Sequence, residues 1–181
     1  MILIELRDAI IAGIKEASPT LVDVASHGGR FSLEEIKAVG AKSPAARVAC
    51  LGLREITFEG NIPKAVSLWG VFIITAHTAA AKRDAVAMSI VAAIAPLLPE
   101  ESWGLEASID GAKECRADNL FSRELDKNGL ALWGLSFTHQ VDLNRIDPAD
   151  LEAFITAHID YDLAPADGTI DASDHLTLPQ T

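Results

Sequence analysis

The chain has 181 residues, 49% of them apolar, which suits one compact domain with a short extension. Its apolar runs fall short of the roughly 20 residues that a membrane-spanning helix needs, and its start lacks the basic leader of a signal peptide. The net charge of −11 argues against nucleic-acid binding by counterion release.

The first elements along the chain are a helix and a short strand. Apolar residues recur at helical spacing from Leu3 to Ile14, so we expect a helix over residues 2–17 that stops at Ser18-Pro19. Residues 21–25 then have the apolar and β-branched character of a short strand.

A capping box follows. Ser32 and Glu35 have the spacing at which each side chain caps the other's backbone N–H, which predicts a short helix that stops at Gly40. Residues 45–58 are rich in apolar and β-branched side chains and predict one long strand or a bent pair. Gly52 lies in the middle of this run, where a glycine is typical of a β-bulge.

The stretch from Ser67 to Pro99 is the strongest structural signal in the chain. Residues 67–77 are β-branched, aromatic and uncharged, which is typical of a buried strand. Residues 79–98 are rich in alanine and have apolar positions three and four residues apart. They predict a helix with one buried face, which ends at Pro96 and Pro99.

A second apolar run, residues 130–143, repeats the Leu-Trp-Gly triplet of the first. We interpret the two runs as central strands of one sheet, with the 79–98 helix packed on it. Asn128-Gly129 precedes the second run and predicts a tight hairpin turn from a strand over residues 112–124, which has the polar alternation of a half-exposed edge. Residues 105–109 predict a further short strand. The expected core anchors are Trp69, Phe72, Ile74, Trp133 and Phe137.

The end of the chain predicts a helix and then an extended arm. Asp147-Pro148 is a helix start, and the helix should run to His158. Helical periodicity then fails, so we expect a domain of residues 1–158 and an acidic arm of residues 159–181. The arm should dock in extended form on its own subunit or a neighbour; the alternative is a solvated acidic tail. The candidate interface residues of the arm are Tyr161, Leu163, Pro165, Ile170, Leu176 and Leu178.

The residues that could support chemistry form no catalytic motif. His77 and His139 each follow an apolar run and could meet if the two strands pair in register, giving a metal or pH site; the alternative is two satisfied strand-end histidines. Cys50 and Cys115 lack metal-ligand spacing and predict a reduced pair, with a disulfide as the alternative. We therefore expect no enzyme, no cofactor and no bound metal.

Three segments carry a resemblance to a known family: residues 7–10, residues 68–98, and residues 118–122 with the Leu-Trp-Gly strand that follows. On these, the chain resembles the Mu-like phage tail proteins of the DUF1834 type, which are regarded as tail terminators, over roughly residues 1–145. The resemblance agrees with the fold class that the pattern predicts. That class is α+β, a mostly antiparallel sheet with helices packed on it, plus the extended C-terminal arm.

The resemblance also implies a function. It implies a hexameric ring of identical subunits that caps the tail tube in the virion tail and offers the surface to which the head or neck connector attaches. Assembly would take place in the host cytoplasm, and DNA would pass through the ring lumen without specific binding. Two other interpretations stay open: another phage tail-completion, neck or baseplate protein, and a small-molecule enzyme or binding module without a recognisable motif.

Overall fold

A computed structural model describes residues 1–77, 82–106 and 108–143, together with the backbone of residues 156–161 and 172–177. The chain forms two compact units, residues 1–144 and residues 145–181. The first unit has five strands in one mostly antiparallel sheet with helices packed on it. The predicted α+β class is therefore confirmed.

The elements of the first unit alternate between helices and strands. In chain order they are α1 (Ile2–Ala17), β1 (Asp23–Ser26), α2 (Leu33–Gly40), β2 (Ala45–Glu59), β3 (Ile62–Ala76), α3 (Arg83–Ile94), β4 (Lys113–Asn119), α4 (Arg123–Lys127) and β5 (Leu130–Asp142). The sheet has the strand order β1-β2-β3-β5-β4. Strand β1 pairs with β2 in parallel, and the remaining pairs are antiparallel.

Helix α1 has the bounds that the sequence predicts. Its buried residues are four apart, from Ile2 to Ile14, so one stripe of the helix packs on the sheet. Helix α2 begins at the predicted capping box: the Ser32 hydroxyl accepts from the Glu35 N–H at 3.2 Å, and the Glu35 carboxylate accepts from the Ser32 N–H at 2.7 Å. Both local predictions are confirmed.

Helix α3 confirms the middle of the predicted 79–98 helix. It buries Ala87, Ile90, Val91 and Ile94, and a short 3-10 turn, Ala95–Leu97, follows it with Pro96 inside. This tighter turn shifts the phase of the side chains, so Leu97 lies 48% exposed instead of continuing the buried stripe. Residues 79–81 lie outside the described part of the chain.

Strands β3 and β5 are the centre of the sheet, and they pair with Trp69 opposite Phe137 and Trp133 opposite Ile73. Trp69 and Phe137 are fully buried in the cluster that α1 and α3 cover, whereas Trp133 is half-buried. A smaller cluster around Ile74 lies beneath α2 and α4. The predicted anchors thus include true core residues.

The glycines of the two Leu-Trp-Gly triplets have a packing reason. A Cβ atom on Gly70 would lie 2.9 Å from the Phe72 ring, and one on Gly134 would lie 3.0 Å from Leu120. Each glycine therefore leaves room for a large neighbour on the face of the sheet opposite its tryptophan. The repeated triplet reflects two equivalent positions in adjacent strands.

Strands β2 and β3 form a hairpin that is longer than the sequence predicts. Gly60 and Asn61 make its turn, with φ of +61° at Gly60, and both strands extend beyond the predicted ranges of residues 45–58 and 67–77 up to this turn. Pro63 lies in β3 opposite Phe58, at the end of the strand where its missing N–H interrupts little. The predicted bulge is confirmed, since the register shifts between Cys50 and Gly52.

The predicted tight turn at Asn128-Gly129 is wrong, although β4 and β5 are antiparallel neighbours. The connection contains α4, which begins because the Ser122 hydroxyl accepts from the Leu125 N–H and Leu125 is buried. Asn128 has φ of −92°, and Gly129 has φ of +71°. The glycine therefore ends a helix and does not belong to a two-residue hairpin turn.

The described residues of the range 105–109 do not form the predicted strand. The N–H groups of Ser108 and Ile109 both donate to the Leu105 carbonyl, which is the pattern of a turn. Ile109 alone bridges to Val141 of β5.

The described residues of the second unit form two strands, β6 (Thr156–Tyr161) and β7 (Ala172–Thr177), which pair in antiparallel register. The predicted helix start at Asp147 lies outside the described residues, whereas His158, its predicted last residue, lies in β6. Strand β6 also runs across the predicted boundary between residues 158 and 159. That division into a domain and an arm stays a prediction.

Candidate assembly interface

The first open surface is the outer edge of β4, which ends the sheet. Strand β4 pairs with β5 on one side, and its side chains are exposed except for the half-buried Cys115. The strand carries charges of both signs along its length: Lys113, Glu114, Arg116 and Asp118. Charged edge strands resist uncontrolled pairing with other sheets.

The second open surface is the distal part of the β2–β3 hairpin, residues 51–62, which we call the hairpin tip. Among the described residues of the first unit, β1 pairs with β2 from Ala45 to Val48, and no strand pairs with the outer edge of β2 beyond that point. Four large apolar side chains of the tip are exposed: Leu51 at 41%, Ile56 at 61%, Phe58 at 74% and Ile62 at 45%. Phe58 pairs with Pro63 and Ile62 with Glu59, so Phe58 and Ile62 lie on opposite faces of the hairpin. The tip therefore exposes apolar side chains on both faces, which makes it a candidate contact surface.

The backbone of the hairpin tip is irregular. The pairing of β2 with β3 shifts at Gly52 and again between Arg54 and Thr57, where Glu55 has φ of +50°. Bulges increase the local twist of a strand and disrupt its ladder. The irregular backbone makes the tip a poor template for pairing with another strand. The tip is therefore better suited to contact a partner through its apolar side chains.

Lys64 fixes the base of the hairpin tip. Its ammonium group pairs with Glu59 across the hairpin and lies 3.8 Å from the Asp142 carboxylate of β5. The hydrogen bond with Glu59 raises the pKa of Lys64, so this side chain stays a cation at the junction of three strands.

A buried polar centre lies beneath the helices, around His139 of β5. The His139 Nδ1 atom is 2.8 Å from the Asp110 carbonyl oxygen, and Nε2 accepts from the Trp103 indole N–H at 3.1 Å. Burial lowers the pKa of His139, an effect that the Asp110 carbonyl and the nearby Glu101 and Asp110 carboxylates partly oppose. The imidazole is therefore neutral at pH 7.

Trp103 also lines a groove of about 600 Å³ beside α1. Its ring lies directly against Gly13, where a Cβ atom would collide with it. The remaining walls are mostly small or apolar, from Ala9, Ala12, Ala17 and Leu97, with the acids Glu16 and Glu101. Trp103 thus packs its loop against α1.

The two strand-end histidines are not close together, so the shared metal or pH site that required them to meet is not formed. Because β3 and β5 are antiparallel, His139 lies opposite Ser67, whereas His77 follows Ala76, which lies opposite Leu130 at the other end of the sheet. Within the described residues, no group of three His, Cys, Asp or Glu side chains is arranged to hold a metal.

The two cysteines are free thiols. Cys50 is exposed on β2, and Cys115 is half-buried on β4. Burial raises the pKa of the Cys115 thiol, so this side chain stays protonated and is a poor nucleophile. The disulfide alternative is not realised in the structure.

The residues predicted for the C-terminal interface are only partly described. Tyr161 is the last residue of β6, and Leu176 lies in β7 opposite Ala157. Leu163, Pro165, Ile170 and Leu178 lie outside the described residues. The proposed interface role of all six stays a prediction.

Sequence reasoning missed the hairpin tip as an interaction surface. The signal was present, because charged residues interrupt the apolar ones from Arg54 to Glu59, where a buried strand would have none. The run was interpreted as one long strand or a bent pair, with no exposed part, because its first residues, from Ala45 to Ala49, are wholly apolar apart from Arg47 and are indeed buried.

Comparison with known proteins identifies the family. A family model described as "Bacteriophage Mu, Gp37" matches residues 2–141, which is more than half of the chain. No curated protein matches the chain. Within the described residues, the helices are too short or too polar to cross a membrane. The chain therefore belongs to the Bacteriophage Mu Gp37 family, a family of Mu-like phage proteins.

Proposed function

We propose that the protein is a structural component of a phage or prophage virion, a ring-forming tail terminator of the DUF1834 type. In this role it caps the tail tube and offers the surface to which the head or neck connector attaches. The observation that carries the proposal is the family match, which covers nearly the whole of the first unit, residues 1–144. The role needs no catalytic residue, cofactor or metal.

The sheet has two different open surfaces, and this supports a ring. The β4 edge and the hairpin tip belong to strands on different sides of the central pair, β3 and β5. When two unlike surfaces of identical subunits meet, the contact is head-to-tail, and repetition closes a ring if the rotation divides the circle. A neighbouring subunit would also cover Phe58 and Ile56, which are costly to leave in water.

The charge of the chain fits a conduit for DNA. With a net charge of −11, the subunit offers few strong cationic contacts to phosphate groups. A lumen of that kind would let DNA move through, because it would not hold the backbone by counterion release. The protein would act in the virion tail after assembly in the host cytoplasm, with the tail tube protein and the head or neck connector as partners.

The C-terminal residues would strengthen the ring by contacting a neighbouring subunit. The candidates are the six apolar residues that the sequence picks out: Tyr161, Leu163, Pro165, Ile170, Leu176 and Leu178. A covalently attached clasp is favoured by its high effective concentration within the ring. Truncation after Asn144, at the boundary between the two units, should lower both the oligomer fraction and the melting temperature of the oligomer. If both are unchanged, the clasp is excluded.

Native mass spectrometry of the full chain tests the ring. We expect a closed oligomer of about six subunits, whose abundance rises with protein concentration. Adding purified tail tube protein should increase the ring fraction, because a cap is stabilised by the surface it covers. A monomer at every concentration, with and without the tube protein, would exclude the ring.

A neck or baseplate protein of the same fold is the alternative that family membership supports equally well. Deletion of the gene separates the two roles. Loss of a terminator should give tails of uncontrolled length. Loss of a neck protein should instead leave tails of normal length without heads. Loss of a baseplate protein should prevent tail assembly.

A further inference from the structure

The loop of residues 100–105, which we call the Trp103 loop, has a strained backbone. Glu100 has φ of +62°, Trp103 has φ of +57° and Gly104 has φ of +76°. Left-handed backbone is unfavourable for a residue other than glycine, above all for a bulky one. Such a conformation persists where the surrounding contacts hold it in place.

Four contacts hold Trp103. Its indole N–H donates to His139 Nε2 at 3.1 Å, and its backbone N–H donates to the Glu101 carboxylate at 2.7 Å. The indole ring lies 6.2 Å from the Phe137 ring, centre to centre, and packs directly on Gly13 of α1. Among these four contacts, the hydrogen bond to His139 is the one that protonation of the imidazole would break.

The partners of His139 fix its tautomer. The Asp110 carbonyl oxygen can only accept, so Nδ1, at 2.8 Å, carries the hydrogen. Nε2 is then left with a lone pair, which accepts from the Trp103 indole. A second proton can enter only at Nε2, where it would face the indole N–H and turn a hydrogen bond into contact between two donors.

The charged groups around His139 determine how readily its imidazole takes up a proton. The carboxylates of Glu101 and Asp110 favour the charged imidazole, but Asp110 is itself paired with Lys113 at 3.5 Å. Strand β3 presents the uncharged Ser67 opposite His139. The side of α1 that faces Trp103 carries Gly13 and one acid, Glu16.

Burial is the largest influence, and the pKa of His139 is lowered from 6.5. The closed loop therefore binds a proton less readily than an open, hydrated loop would. By linkage, acid favours the open state. The effect begins as the pH falls below about 6.5, the value for a hydrated histidine, and grows until the pH reaches the lowered pKa of the closed form.

We propose that Trp103 and His139 form an acid-sensitive latch, in which protonation of His139 breaks its bond to Trp103 and releases the Trp103 loop from α1. Release relaxes the strained backbone, uncovers Gly13 and Phe137, and widens the groove beside α1. The latch is a property of the first unit and does not depend on the proposed role in the phage tail.

Nuclear magnetic resonance on the full chain, labelled with ¹⁵N, tests the latch. The three tryptophans of the chain give three indole N–H signals, and their exchange with solvent is measured from pH 8 to pH 4.5. We expect the protection of Trp103 to fall about tenfold per pH unit below the point at which His139 begins to protonate, since one proton is linked to opening. Trp69 should stay protected, because it is fully buried and bonded to Ser67.

Two variants complete the test. His139→Gln removes the titrating group, so the pH dependence of Trp103 protection should disappear, whereas His77→Gln, at the far end of the sheet, should retain it. The unmodified chain remains informative even if His139→Gln does not fold. Constant protection of Trp103 across the pH range, or simultaneous loss at all three tryptophans, would overturn the proposal.

Discussion

Asp23 and Arg47 form an ion pair that ties β1 to β2, with 2.6 Å between the carboxylate oxygen and Nη2. The same guanidinium donates to the Ala46 carbonyl at 2.8 Å. Both side chains are mostly shielded from water, with 27% exposure for Asp23 and 11% for Arg47. This side-chain ion pair thus adds to the backbone ladder that holds the short edge strand β1 in the sheet.

Replacing Asp23 with Asn should destabilise the protein by about 1–3 kcal/mol, because Arg47 would lose its charged partner while staying largely buried. Urea unfolding measures the change. The matched control is Asp8→Asn, which removes the exposed pair of Asp8 with Arg7 and should cost less than about 1 kcal/mol. Equal effects of the two substitutions would contradict the assigned role of Asp23.

The same pair predicts a pH dependence. Arg47 holds the pKa of Asp23 below 3.8, so the unfolded chain binds the proton more readily than the folded chain does. The stabilisation is therefore complete at neutral pH and is lost as the pH falls through 3.8 towards the lowered value. The stability difference between the natural chain and Asp23→Asn should shrink over that window. A constant difference down to pH 2.5 would contradict this account.

Asn128 and Gly129, at the end of α4, differ in backbone conformation, so substitutions at the two positions should differ in cost. Gly129→Ala should destabilise the protein by about 1 kcal/mol, because φ at this position is +71°. Asn128→Ala should cost less, because φ at this position is −92° and the Asn128 side chain makes one exposed hydrogen bond, to the Glu124 carbonyl. Thermal or urea unfolding compares the two variants. Equal large losses would instead indicate a turn that needs positive φ at both positions.

The two central tryptophans should differ in their contribution to stability. Trp69 is fully buried, and its indole N–H donates to the Ser67 hydroxyl at 2.9 Å, so Trp69→Ala should cost about 3–5 kcal/mol. Trp133 is half-buried, so Trp133→Ala should cost less. Urea unfolding, or expression yield where Trp69→Ala does not fold, gives the order. The reverse order would contradict the core described above.

The hairpin tip should matter for assembly and not for folding. Phe58→Lys places a charge on a side chain that is 74% exposed, so the melting temperature of the isolated subunit should change little. If Phe58 is covered in the ring, the concentration needed for assembly should rise about tenfold or more.

Met88→Lys is the matched control for Phe58→Lys, since Met88 is 51% exposed on α3, away from the hairpin tip. Sedimentation velocity over a range of concentrations compares the two. Equal effects on assembly, or no effect of either substitution, would remove the hairpin tip from the proposed interface.

Where local rules act alone, the sequence was enough to predict the structure. The Ser32–Glu35 capping box, the apolar stripe of α1 and the bulge at Gly52 each depend on residues close together in the chain, and all three were confirmed. The pairing of the two Leu-Trp-Gly strands was also predictable, because such apolar strands must both be central.

Features that depend on competition between local rules were not predicted correctly. Asn128-Gly129 has the composition of a hairpin turn, but the cap at Ser122 and the burial of Leu125 favour a short helix instead. The distance between His77 and His139 depended on strand direction, which the two apolar runs do not encode. The charges between Arg54 and Glu59 indicated an exposed end of β2, but the point at which exposure begins depends on how far the neighbouring β1 extends, which the sequence of β2 does not encode.

Deleting the gene from the phage that encodes the protein, followed by electron microscopy of the particles, tests the central claim most directly. A tail terminator should be required for length control, so we predict that the deletion strain gives a broad distribution of tail lengths and tails without heads. Supplying the natural gene in trans should restore normal tail length and head attachment. Headed particles with tails of normal length in the deletion strain would contradict the proposed function.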